Sequence, residues 1–153
     1  MKIRLIQLGK TREDWLKQAL EYYRLRVEPY CPIELVTLPD TSIRQVNNPA
    51  EVMQREAVTI LNTLKANEYV ILLDEQGEQQ NSLEFATNLS RLSDRKIVFV
   101  IGGVYGTAQE VTQRADQVIG LSRMTFTHQM VRLVLIEQIY RAMMINHNKN
   151  YHY

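Results

Sequence analysis

Lys96-Ile97-Val98-Phe99-Val100-Ile101, followed by Gly102-Gly103-Val104-Tyr105-Gly106, is the stretch on which the fold turns. Six residues dominated by β-branched and aromatic side chains read as a buried strand, and the glycines read as its turn. Downstream, a short helix and another strand lead to Ser122-Arg123-Met124-Thr125-Phe126-Thr127-His128-Gln129, and then to a long apolar helix. The chain closes on Asn146-His147-Asn148-Lys149-Asn150-Tyr151-His152-Tyr153. All 3 histidines and the only clustered glycines lie in this last third, so chemistry is expected here and scaffold in the first half.

Working outward, strand and helix signals alternate. Lys2–Leu8 reads as a strand ended by Gly9. Glu13–Val27 reads as an amphipathic helix, with Trp15, Leu16, Ala19, Leu20, Tyr23 and Val27 at helical spacing. Ile33–Leu38 is a second strand, set off by Pro29, Pro32 and Pro39. A polar loop covers Asp40–Asn48. Pro49 then opens a helix to about Lys65, at the first turn where proline is tolerated. Tyr69–Leu73 is a continuous apolar strand ending in Asp74, of the kind buried on both faces. Ser82 is placed to cap a helix over Leu83–Leu92. Thr107 and Glu110 have capping-box spacing, Val118–Leu121 is a brief strand, and Thr127 caps the last helix. The alternation predicts a mostly parallel sheet with helices on both faces, as one domain over residues 1–153.

Hydrophobic content of 45% with 23% charged residues is that of a soluble globular protein, and a net charge of +1 gives little global pull toward nucleic acid. No stretch reaches the length of a membrane span, and the N-terminal residues lack a signal-peptide pattern. The single Cys31 excludes an intramolecular disulfide and a cysteine-rich metal site, which fits a reducing cytoplasm. No residue trio makes a credible metal site.

The last helix, His128–Asn146, is apolar on nearly every side, which suits a central core helix or a dimer interface. The dimer is favoured, because a small open sheet offers only one face to each helix. Gly102-Gly103-x-x-Gly106 serves either a tight turn or the close approach of a ligand to the strand ends. Ser122–Thr127 is too polar to extend a strand, yet rich enough in Met and Phe to wall an adenine-like ring. His128, at a helix N-terminus, is biased toward neutrality and can accept a proton. Arg132 lies one turn on and is placed to hold a phosphate or oxyanion, or else to pair with Glu137 or an aspartate. Tyr151 and His152 can stack on an unpaired base and exchange protons, or belong to a fraying end. Arg24, Arg26, Arg91, Arg95 and Lys96 are candidate phosphate contacts or a solvated face.

Taken together, Ile101-Gly102-Gly103-x-x-Gly106, Ser122-x-Met124-Thr125-Phe126-Thr127-His128-Gln129-x-x-Arg132, Glu137-Gln138-x-Tyr140-Arg141-Ala142 and the terminal Tyr151-His152 resemble one enzyme group closely. That group is the bacterial large-subunit (23S rRNA) pseudouridine N3-methyltransferases of the SPOUT class, and the likeness spans essentially the whole chain. The resemblance implies an α/β knot, in which the C-terminal segment threads a trefoil. It further implies a cytoplasmic homodimer built on the last helix, with S-adenosylmethionine as methyl donor. The cofactor pocket would comprise Leu73, Gly103, Ser122, Arg123, Met124, Thr125, Phe126 and Thr127. Catalysis would fall to His128, Arg132, Tyr151 and His152, on a pseudouridine in the intersubunit stem-loop of 23S rRNA in the assembled ribosome, with no metal and no membrane. A different RNA substrate, or a non-catalytic adenosyl-binding dimer, are the alternatives. The tail departs from the group's pattern at Asn150 and Tyr153, where proline and a basic residue are common.

Overall fold

The computed structural model describes residues 1–42 and 44–153, so one position of the loop read over Asp40–Asn48 lies outside the described residues. In chain order the elements are β1 (Lys2–Leu8), α1 (Asp14–Val27), β2 (Ile33–Leu38), α2 (Pro49–Thr63), β3 (Glu68–Gln79) and α3 (Ser82–Arg91). They continue with β4 (Lys96–Ile101), α4 (Gln109–Arg114), β5 (Gln117–Gly120) and α5 (His128–Asn146). All neighbours in the sheet are parallel, in the order β2-β1-β4-β3-β5.

The apolar runs become central strands because both of their faces are covered. Odd-numbered Ile3, Leu5, Ile71, Leu73, Ile97, Phe99 and Ile101 pack on the side of α1, α3 and α5. Even-numbered Ile6, Leu8, Val70, Leu72, Val98 and Val100 pack on the other side with Ala57 and Ile60 of α2 and Val111 of α4. The period-2 alternation of a strand thus divides each run between two cores.

Three local features differ from the sequence reading. The cap of α3 is Asn81, not Ser82. Asn81 accepts the Glu84 N–H and Glu84 accepts the Asn81 N–H, a reciprocal box that only this register completes. The Ser82 hydroxyl instead donates to Gln138 across to α5. No side chain caps α4, because the Thr107 hydroxyl is buried without a partner and its methyl lies over the bare Cα of Gly102.

The third difference makes the topology. β3 does not stop at Asp74. Leu73 pairs with Ile119, residues 74–77 arch away, and Glu78 pairs with Ile119 again. Gly77 lies directly on the backbone it crosses: a Cβ there would stand 2.5 Å from the Ile119 carbonyl carbon and 2.7 Å from its Cα and N. The arch closes over the end of β5: a Cβ on Gly120 would stand 3.0 Å from the Gly77 carbonyl oxygen and 3.2 Å from that of Asp74.

α5 packs between α1 and α3 and against the sheet. Leu135, Ile136, Ile139, Ala142, Met143 and Met144 are buried, while Met130, Val134, Glu137 and Arg141 form a half-buried row at helical spacing. After His147, Asn148 takes a left-handed φ of 52°, and Lys149 N–H bonds back to Met144 C=O. That turn ends the helix in the manner of an αL cap and sends the last residues back along it.

Candidate active site

Ligands of open parallel sheets sit beyond the carboxyl ends of the strands. Here the arch within β3 and the loops after β4 and β5 line a cleft of about 990 Å³, within the range of small-molecule sites. Leu73, Gly103, Ser122, Met124, Thr125, Phe126, Thr127 and His128 all line it. Arg123 is exposed and lies outside its walls.

The glycine frame makes the tight turn its spacing allowed. Gly106 has a φ of +84° and its N–H bonds Gly103 C=O at 3.1 Å, so the turn needs glycine. A Cβ on Gly106 would project into open space at the cleft, which keeps the floor bare for a ligand. Opposite, Met124 is 77% exposed and Phe126 is 39% exposed, an apolar rim with little to cover it in one chain. The loop is shaped by its own polar groups: Ser122 Oγ accepts the Met124 N–H at 3.0 Å, and Thr125 Oγ1 donates to Glu75 Oε2 at 2.8 Å.

Thr127 caps α5 by accepting the Met130 N–H, and this fixes His128 at the first helical position. Burial pushes the imidazole pKa below its ordinary value, Arg132 and Arg12 add to the shift, and Asp40 opposes it. His128 is therefore neutral near pH 7 and available as a proton acceptor. Gln129 clamps the same helix start to the loop after β1, accepting the Arg12 N–H and donating to Lys10 C=O.

Arg132 is placed differently from the sequence expectation. Its side chain is fully buried, bonds Leu8 C=O at 2.7 Å and Thr11 Oγ1 at 2.9 Å, and is not among the residues lining this cleft. It does not meet Glu137, which pairs with Arg141 instead. Burial lowers the guanidinium to about 10, still charged at neutral pH. Such a group holds the β1–α1 loop at two points, while its Nε is buried without a partner among the described residues.

The tail is not at this cleft. Tyr151 Oη donates to Glu137 at 3.0 Å, its ring meets Tyr140 at 4.7 Å between centroids, and Arg141 lies over it. His152 Nδ1 sits 3.3 Å from Arg141. At 1.5 Å rise per residue, Glu137 is roughly 13 Å along α5 from His128, and Arg141 roughly 20 Å. One chain therefore brings His128 and the cofactor-loop residues together, and leaves Tyr151 and His152 apart.

Sequence reading missed Arg12, Glu75 and the clamp by Gln129, since no motif surrounds Arg12 and Glu75 lies in an arch that only the pairing of β3 with β5 reveals. Of the proposed phosphate contacts, Arg24 is paired with Glu21 and Glu28, and Arg26 stacks on Tyr22. Among the described residues, no group of three or more His, Cys, Asp or Glu is arranged to hold a metal ion, and no helix is long and apolar enough to cross a membrane.

A five-stranded parallel sheet whose β3 arches over β5, with a bare glycine turn and an apolar loop beside the arch, defines an α/β protein with a ligand cleft at the carboxyl ends of its strands. The family model described as predicted SPOUT methyltransferase matches residues 1–152, and the chain belongs to that family of S-adenosylmethionine-dependent methyltransferases. Among its curated relatives is the ribosomal RNA large subunit methyltransferase H of Geobacter sulfurreducens, 45% identical over 100% of both chains. The protein of the same description from Parabacteroides distasonis is 42% identical over 100% of this chain and 99% of its own, and that of Bacillus thuringiensis 39% identical over 99% of each.

Proposed function

We propose that this chain methylates N3 of a pseudouridine in the intersubunit stem-loop of 23S rRNA, as a cytoplasmic homodimer acting on the assembled ribosome. The observation that carries the reading is a cleft at the carboxyl ends of the strands whose wall includes a histidine with a depressed pKa. The cleft suits S-adenosylmethionine: Leu73, Met124 and Phe126 offer apolar walls, Gly106 a bare floor, Ser122–Thr127 backbone groups, and Glu75 a negative charge for a cationic ligand. The cofactor, when bound, supplies a methyl group on a sulfonium, which leaves as a neutral thioether.

The rest is asked of the protein. N3 of the base is an imide N–H, so its proton must be removed before the lone pair can attack. His128 is in the state to accept it, a step worth about 10²–10⁴-fold. Arg132 acts as a positioning residue, fixing the loop from Leu8 to Thr11 on which the His128 end of α5 rests. Tyr151 is suited to orient a base drawn out of its stack, and His152 is the second candidate base.

Their separation from the cleft favours two copies. The half-buried row Met130, Val134, Glu137 and Arg141 is the unpacked face of α5. Antiparallel pairing about a two-fold axis near Val134 sets Arg141 of one copy, where its tail docks, opposite His128 of the other.

The test is transfer of labelled methyl from S-adenosylmethionine to ribosomes from cells lacking the endogenous methylase, with the label mapped on 23S rRNA. Label at a pseudouridine N3 in that stem-loop is expected. Cofactor binding without ribosomal label would overturn the substrate.

A further inference from the structure

A second cavity, of about 490 Å³, adjoins the cofactor cleft and shares Arg12, Gly103, Val104 and His128 with it. Beyond that shared wall it reaches Asp40, on the loop after β2, and Glu56, on α2. Glu56 is the anomaly. It is only 5% exposed and sits among the core-facing residues Val52, Ala57 and Ile60, where an ionisable group is costly. Among the described residues no cation pairs with it, and its one hydrogen bond is a long one, accepted by Oε1 from the Thr41 N–H at 3.4 Å. The carboxylate lies against the bare Cα of Gly103, where a Cβ would collide with Oε2. Burial raises its pKa, and Asp40 adds to the rise. Proton removal at N3 makes no use of it, yet it faces a cavity that also holds the proton acceptor.

We infer that this smaller cavity seats the target base, and that Glu56 is the residue that tells pseudouridine from uridine. The inference rests on the substrate proposed above. Pseudouridine joins ribose through carbon, so its ring N1 keeps a hydrogen, whereas N1 of uridine carries the sugar. N1–H and N3–H flank one carbonyl on the same ring edge. With N3 at the shared wall beside His128, N1–H turns toward the Glu56 side of Gly103. A glutamate keeps an acceptor oxygen whether charged or protonated, so it can take the N1–H in either state. Uridine would leave that buried acceptor unpaired, the arrangement by which sites reject an analogue lacking one N–H.

The experiment compares two ribosome preparations, both lacking the methyl group and differing only in pseudouridine or uridine at the target position. The enzyme variants are wild type, Glu56→Gln and Glu56→Leu, with S-adenosylmethionine binding measured on each as a check of folding. Wild type is expected to favour pseudouridine. In Glu56→Leu, kcat/KM on pseudouridine should fall at least about tenfold more than on uridine. Glu56→Gln, which keeps one acceptor, should fall in between. Equal wild-type rates on both substrates would overturn the inference, as would a preference that both variants retain, or an equal loss on both substrates. Should Glu56→Leu fail to bind cofactor, the ratio in Glu56→Gln decides. Failure of wild type to label either preparation would instead overturn the proposed substrate.

Discussion

The two ends of α5 face opposite problems. At its start the helix is locked from every side: Thr127 caps it, Gln129 ties it to the loop after β1, and buried Arg132 bonds that loop at two points. At its far end, Tyr151 and His152 rest on Glu137 and Arg141 through contacts that are half-buried or exposed. The first is a rigid platform beside a cleft. The second is a docked tail. Their difference teaches that one copy of the chain keeps Tyr151 and His152 apart from the cleft beside His128, the separation that the proposed dimer would close.

That division can be broken most severely at His128. His128→Ala should lower methyl transfer about 10²–10⁴-fold while leaving cofactor binding in place. The wild-type pH profile sharpens the same point. Because the imidazole pKa is depressed, the neutral base survives below the ordinary histidine value of 6.5, and kcat/KM should fall only at more acidic pH. A bend above that value would remove His128 from the role.

Removing Tyr151–Tyr153 should lower turnover by roughly 10²-fold with S-adenosylmethionine affinity unchanged. Mixing this truncated form with His128→Ala should restore about a quarter of full activity, since half of randomly paired dimers then carry one complete site. No restoration after verified subunit exchange would place both parts in one subunit.

The platform end should answer in stability instead. Gly77→Ala drives a methyl into the backbone of Ile119, which cannot move aside, and should cost about 3 kcal/mol or more by denaturant unfolding. Arg132→Leu abandons Leu8 C=O and Thr11 in the core and should cost about 2 kcal/mol. Smallest is Tyr151→Phe, which loses one part-buried hydrogen bond to Glu137 and should cost about 1 kcal/mol or less. A Tyr151→Phe effect as large as that of Arg132→Leu would erase the contrast between the two ends.

Residue patterns made most of the fold legible. Uniformly apolar runs at Tyr69–Leu73 and Lys96–Ile101 specify strands covered on both faces, and Thr127 and Pro49 mark helix starts, because these are short-range effects of side-chain shape and hydrogen bonding. That the glycine turn and the Ser122–Thr127 loop line one cleft follows from the same patterns: glycines that need a turn, next to an exposed Met and Phe. Where two local patterns competed, as at Asn81 and Ser82, the register of Glu84 chose between them.

The sequence by itself therefore determined the elements, the glycine turn, and the family to which the whole pattern belongs. Tertiary structure alone decided which of the chemically able residues meet. Arg132 reads as an anion holder until the packing of α5 on the first strand's loop buries it. Glu56 stands out in no sequence pattern; its setting comes from the bare Cα of Gly103, 47 positions away in sequence, which rests against it. Helical and strand periodicities act over a few residues. Burial, and the electrostatic consequences that follow from it, depend on which distant segments the sheet brings into contact.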